Sequence, residues 1–268
     1  MIPTVPTDYR ISVVLPVYSE TESVRAIVNW LTTHLGPRLL EVIIVVAPAS
    51  TEQSQSVCHD LANHDGRVRI HIQQRNPGLG HAIREGIVRT RGSHVLLMDA
   101  DGEMENDTIS GMLSEMIAGN HALVVASRWS HGGGFVGYSR VKLVLNWCFQ
   151  QLFRILYWTR THDLTYGFKL ICGQLARAIE WQGVYHEIAC ETTLRPIKLG
   201  VSVAEVPSRW TARRQGASKN TLLGNMRYLG MALRVLLVRT QFRPVTKQVP
   251  RDEQGVIRRW VVHQHGNK

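Results

Sequence analysis

Asp99, Asp101 and Glu103 occupy alternate positions in the stretch HVLLMDADGEME, directly after a short apolar run. Carboxylates this close repel one another unless a positive charge lies between them. Oxygen ligands of this type suit Mg²⁺ or Mn²⁺, which take one or two carboxylates together with substrate phosphates. A cation held there neutralises a departing diphosphate. A solvated acidic turn capping the next helix near Asn106 or Asp107 is the plainer reading. The position at a strand end and the third acid favour the metal.

Other stretches offer complementary chemistry. SRWTARRQGASK supplies Arg209, Arg213, Arg214 and Lys219. Arginine grips phosphate oxygens two at a time, and lysine adds a point charge. No series of stacking aromatics accompanies these cations, so nucleic acid is not expected as a partner. In NPGLGHAIREG, Gly78 and Gly80 let the backbone approach a ligand closely, ahead of a helix N-terminus. Neither a Walker A loop nor the dinucleotide G-x-G-x-x-G is present. His162 and Asp163 are read as structural or as a sugar contact rather than an acid/base pair. Glu191 falls on a helix where it could contact sugar.

These residues need a scaffold that gathers them. Apolar runs at Ile11–Tyr18, Glu41–Ala47, Arg67–Gln73, His94–Asp99 and Ala122–Ser127 read as strands. Helical spacing fills Glu20–His34, Thr51–Asn63, Gly80–Thr90 and Asp107–Ala118. Such alternation predicts a mostly parallel sheet with helices on both faces. Ligands of such sheets bind at the carboxyl ends of the strands, where the acids lie. Beyond the glycine-rich HGGGFVGYSR, two segments predict amphipathic helices, 141–158 and 220–238. The first carries a narrow polar stripe of Lys142, Asn146, Gln150 and Arg154 on an otherwise apolar surface. Its aromatic residues and arginines suit a membrane interface.

The chain has 268 residues, 44% hydrophobic, which is enough for a sizeable core. Its formal net charge of +10 favours phosphorylated substrates or an anionic membrane surface. Four scattered cysteines give neither zinc spacing nor a disulfide framework, and fit a reducing compartment. The N-terminal residues lack the apolar stretch of a signal peptide. No apolar run is long enough to span a bilayer.

The motifs ISVVLPVYSE, GLGHAIREG, MDADGE, ASRW followed by GGG, YSR, LTYGFKLI, AEVPSRW and RRQGASKN occur in one order. This order resembles the family-2 glycosyltransferases of the GT-A fold, in particular the dolichol-phosphate (polyprenyl-phosphate) mannose synthases. The resemblance spans about residues 11 to 238. It implies an α/β, Rossmann-like GT-A domain over residues 1–240, with interface helices at 141–158 and 220–238 and a basic tail at 241–268. It implies inverting hexose transfer, mannose first, from GDP-mannose or a UDP-hexose to a polyprenyl phosphate, by a peripheral enzyme on the cytoplasmic face of a membrane. A saccharide hydroxyl acceptor, or an idle membrane-binding homologue, are the alternatives.

Matching positions imply roles. Pro16, Tyr18, Glu20, Ser50, Gly80, Asp99, Ala100 and Asp101 fall in the donor site. Asp99, Asp101 and Glu103 fall at the metal, Mg²⁺ or Mn²⁺. Asp101, Arg128 and Arg213 fall among the catalytic groups. Arg140, Arg213, Ser218 and Lys219 fall on the acceptor phosphate. One departure is large: where relatives carry VVDDxS, this chain has VVAPAS, with Ala47, Pro48 and Ala49 ahead of the retained Ser50. No carboxylate remains there to select the base.

Overall fold

A computed structural model describes residues 9–212 and 222–243. A seven-stranded sheet forms its centre, in the order β3-β2-β1-β4-β7-β5-β8. The strands are β1 (Ile11–Val17), β2 (Leu39–Val46), β3 (Val68–Ile72), β4 (His94–Leu97), β5 (Leu123–Ser127), β7 (Lys169–Cys172) and β8 (Val203–Pro207). All run parallel except β7, which pairs antiparallel with both β4 and β5. The inner strands are apolar on both faces, so helices must cover both. A small parallel ribbon joins β6 (Gly134–Val136) to β9 (Arg209–Thr211).

The four helices of the first half, α1 (Glu22–His34), α2 (Glu52–His64), α3 (Leu79–Ile87) and α4 (Thr108–Gly119), lie within two or three residues of the expected spans. Thr51 caps α2 through its hydroxyl, which accepts from Ser54 N at 3.2 Å. Asn120 ends α4 in the left-handed region, a conformation asparagine tolerates. In the second half come α5 (Arg140–Leu156), the short α6 (Gly173–Ala178), α7 (Ile188–Lys198) and α8 (Leu222–Leu237). Helices α5, α7 and α8 share a small separate core of Phe153, Leu164, Cys190, Leu194, Met231, Ala232 and Val235.

The sheet opens between β1 and β4. Their pairing ends at Val14 opposite Leu97, while β1 continues beside β2 to Val17. Pro16 therefore lies past the last β1–β4 pair, where its lack of an N–H breaks no bond to β4. Strands on opposite sides of this point connect in opposite directions across the sheet. That makes it the switch point at which open α/β sheets bind ligands. Tyr18 leaves β1 on one side of the opening and Asp99 follows β4 on the other.

Candidate active site

Each loop at this opening is fixed by its own polar groups. Glu20 folds back so that Oε2 accepts from Tyr18 N at 2.7 Å and Ser19 N at 2.9 Å. Its carbonyl accepts from Ser54 Oγ, which ties the loop to α2. Tyr18 is left half exposed at the rim. Ser50 is turned inward: its hydroxyl donates to Val17 O at 3.4 Å and its carbonyl takes Gln55 Nε2. The sequence places Ser50 in the donor site, whereas in the structure its side chain joins β1 to the turn after β2. Pro48 and Ala49 are the exposed residues of that turn.

The acid loop has a comparable order. Asp101 Oδ1 accepts from Glu103 N at 3.1 Å, and Ala100 is buried between the two aspartates. Glu103 turns toward the β6–β9 ribbon. Its Oε2 accepts from Trp210 Nε1 at 3.0 Å, and its carbonyl accepts from Thr211 N. Met104 bridges to Trp210, and Glu105 Oε2 accepts from Arg209 N. Among the described residues no group of three or more His, Cys, Asp and Glu side chains gathers to hold a metal ion. Asp99 and Asp101 lie in the acid loop at the opening, while one oxygen of Glu103 is engaged by the indole of Trp210. Gly167, from the loop leading into β7, lies along Asp99: a Cβ there would sit 3.8 Å from Asp99 Oδ2.

Arg128 departs from its expected place among the catalytic groups. Its side chain is only 9% exposed, with its guanidinium stacked over Tyr166 at 4.3 Å and near Phe135 at 5.2 Å. Its Nε donates to Asp163 Oδ2 at 2.7 Å and its NH2 to Asp163 Oδ1 at 3.0 Å. Burial alone would lower the Arg128 pKa, but the facing Asp163 outweighs it and raises it. Asp163 also accepts from Arg128 N, Thr165 N and Gln150 Nε2. Arg128 is therefore a strut that holds the end of β5 against the 163–166 loop.

The glycines of NPGLGHAIREG meet protein rather than ligand. Gly80 N donates to Val184 O at 2.9 Å, and a Cβ on Gly78 or Gly80 would overlap the carbonyls of Val184 or Gly183. Gly80 thus packs the start of α3 against the 182–185 loop instead of a nucleotide. That loop is in turn pinned by buried carboxylates. Glu191 accepts from Gln182 N and Gly183 N and pairs with Arg195 at 2.6 Å, so it does not reach for sugar. Glu187 accepts from Val184 N and Tyr185 N. Gly80→Ala is expected to lower stability by about 1–3 kcal/mol through this overlap. Urea unfolding checks it, and an unchanged midpoint would mean that the 182–185 loop gives way.

Lys169 escaped the sequence reading. It lies wholly buried behind the site, donating to Ala189 O at 2.7 Å and Thr193 Oγ1 at 2.6 Å. Burial pushes its pKa down to about 7. Arg140 opens α5 and is exposed. Arg213, Ser218 and Lys219 lie outside the described residues. The chain enters that segment from β9, whose Trp210 and Thr211 are bonded to the acid loop.

Of the expected polar stripe of α5, Asn146 and Gln150 face inward while Lys142 is exposed. Asn146 accepts from Trp129 Nε1 at 2.9 Å. Gln150 is buried, donating to Thr165 Oγ1 at 2.7 Å and accepting from Leu164 N at 2.8 Å. Of its apolar residues Phe153 is buried, whereas Val144 is 60% and Ile155 70% exposed. Trp147 is also exposed, and Met226, Leu233 and Leu237 continue the apolar surface on α8. No helix among the described residues is long and apolar enough to cross a membrane.

The family model for glycosyl transferase family 2 matches residues 12–179, which span every strand of the sheet except β8 and both sides of the opening. The chain belongs to this family. It is a glycosyltransferase. Among curated relatives, polyprenol monophosphomannose synthase of Mycolicibacterium smegmatis is 32% identical over 224 residues, covering 81% of this chain and 83% of the relative. A dolichyl-phosphate beta-glucosyltransferase of Trichomonas vaginalis is 26% identical, covering 90% of this chain and 74% of the relative. The glucosyl-3-phosphoglycerate synthase of Mycobacterium tuberculosis, solved with Mn²⁺, UDP-glucose and glycerol 3-phosphate, superposes with a TM-score of 0.60 at 16% identity. That match covers 89% of this chain and 88% of the synthase, and it places the glycosyltransferase domain in the GT-A fold.

Proposed function

We propose that this glycosyltransferase moves a hexose, mannose first, from a nucleotide-sugar to a polyprenyl phosphate at the cytoplasmic face of a membrane. One observation carries the reading: α5, the helix bordering the site, turns Asn146 and Gln150 inward and leaves Val144, Trp147 and Ile155 exposed. An acceptor phosphate on a lipid must reach a water-filled donor site while its chain stays in the bilayer. A helix lying in the interface beside that site answers the geometry. The names of the curated relatives, which include polyprenol and dolichyl phosphate transferases, support the same acceptor class.

Within this reading Tyr18 and Glu20 border the donor on the β1 side, with Pro16 beneath them. Asp99 and Asp101 border it on the β4 side, with Ala100 between. Two carboxylates fit a hard cation, Mg²⁺ or Mn²⁺, completed by the donor's phosphates. Held there, such a cation neutralises the charge developing on the leaving diphosphate. The Mn²⁺ and UDP-glucose complex of the mycobacterial synthase supports this choice. Glu103 contributes by holding Trp210, and so the entry to the basic segment, against the acid loop. Arg140, Arg213, Ser218 and Lys219 orient the acceptor phosphate.

The acceptor oxygen is already anionic near neutral pH, so attack on the anomeric carbon needs no dedicated base. Displacement from the face opposite the diphosphate inverts the anomeric centre and gives a beta-linked product. Incubation with polyprenyl phosphate, Mn²⁺ and a panel of GDP- and UDP-sugars tests the reading. A mannosyl lipid formed from GDP-mannose is the expected product. Transfer only to free saccharides, or to nothing, would overturn it.

A further inference from the structure

We propose a second anion site, for the phosphate headgroup of a non-substrate membrane lipid, at the far end of α5. The inference rests on the membrane reading above and names where an ordinary lipid would be gripped. Helix α5 has 17 residues and therefore runs about 25 Å from Arg140 at the active-site end. At its other end a cavity of about 440 Å³ opens between Thr159–His162, the C-terminal part of α7 and edge strand β8. Ile197, Val201 and Val203 contribute apolar walls, while Thr159, Arg160 and Thr161 bring two hydroxyls and a cation.

The polar groups here are arranged for an anion. Arg160 is exposed and makes no hydrogen bond or ion pair among the described residues. The one carboxylate in the lining, Glu205, is already engaged. Its Oε1 accepts from His162 N at 2.8 Å and Asp163 N at 2.9 Å, and its Oε2 pairs with His162 Nδ1 at 2.8 Å. Thr159 Oγ1 donates to Thr161 Oγ1 and accepts from Thr161 N, which sets the turn that presents Arg160. An apolar wall beside a guanidinium matches the glycerol and phosphate of a lipid headgroup.

A second observation marks the same end of α5 as the bilayer contact. Trp158 closes the helix with φ of 49°, the left-handed position where glycine is usual. A bulky residue is disfavoured there. Trp158 is nevertheless 94% exposed, so packing against the described residues does not offset that cost. Tryptophan at the headgroup level of a bilayer gains what this position lacks in water. With Ile155 exposed one turn earlier, Trp158 brings the mouth of the cavity to the lipid surface.

The test is vesicle binding by the full chain, which does not depend on transfer activity. Phosphatidylcholine vesicles with and without added phosphatidylglycerol are compared for wild type, Arg160→Ala, Val203→Phe and a charge-matched control, Arg234→Ala. Removing any one cation near an anionic surface weakens binding by about fivefold. Arg160→Ala should exceed that, losing tenfold or more on anionic vesicles. Val203→Phe, which fills the cavity with a residue suited to strands and leaves the charge unchanged, should bind anionic vesicles as poorly as Arg160→Ala. Arg160→Ala losing no more than Arg234→Ala, or Val203→Phe binding like wild type, would overturn the site while leaving the membrane reading in place. Wild type ignoring both vesicles would overturn both. Glycerol 3-phosphate binding that needs Arg160, with no Arg160 effect on vesicles, would assign the site to a free phosphate and overturn the lipid source.

Discussion

Asp101→Ala should lose about 10²–10³-fold in kcat, because losing one of two carboxylates forfeits several kcal/mol of stabilisation of the leaving diphosphate. The fold should survive. Asp101 is partly exposed, and its bond from Glu103 N contributes only about 1 kcal/mol. Glu103→Gln provides the contrast. An amide oxygen still accepts from Trp210 Nε1, so the loop stays joined to β9 and activity should fall less than tenfold. If Glu103→Gln were as damaging as Asp101→Ala, Glu103 would belong to the metal after all. Full activity in Asp101→Ala would remove the cation from the mechanism. Steady-state rates over a range of Mn²⁺ concentrations, with circular dichroism as the folding control, separate these outcomes.

The second large effect falls on stability. Asp163→Ala should destabilise the enzyme by about 3–5 kcal/mol, since it leaves the buried Arg128 guanidinium without its counter-charge. The damage spreads because Asp163 also holds Arg128 N, Thr165 N and Gln150 Nε2. Those bonds join β5, the loop beside Asp99 and the inner face of α5. A chemical denaturation series measures the loss. Replacing both partners, Arg128→Met with Asp163→Leu, should recover the part due to the unpaired charge, but not the bonds from Arg128 N, Thr165 N and Gln150 Nε2. A single Asp163→Ala variant within 1 kcal/mol of wild type would mean that water enters and solvates Arg128.

Sequence alone determined the parallel core and the place of the acids. Strands β1, β2 and β4 are apolar without alternation, which only a sheet covered on both faces accommodates. An acid cluster after such a strand must then lie at the ligand edge. The α5 stripe was equally legible, since side-chain direction along a helix follows from spacing. Which way the stripe faced was not: an amphipathic pattern is the same whether its polar side meets water or a buried Asp163.

The tertiary structure decided what each polar residue touches, and there it redirected several assignments. Gly80 allows a close approach, but whether the neighbour is a phosphate or the Val184 carbonyl depends on a loop about a hundred residues away in sequence. Ser50, Glu103 and Arg128 carry side chains suited to a ligand, yet Val17, Trp210 and Asp163 reach them first. Strand β7 is short and runs against its neighbours, so no alternation of strand and helix announces it, although it seats Lys169 behind the site. Local pattern fixes the face and the period of an element. Partners distant in the chain meet only when the sheet is assembled, and a polar side chain's role is set by which partner arrives.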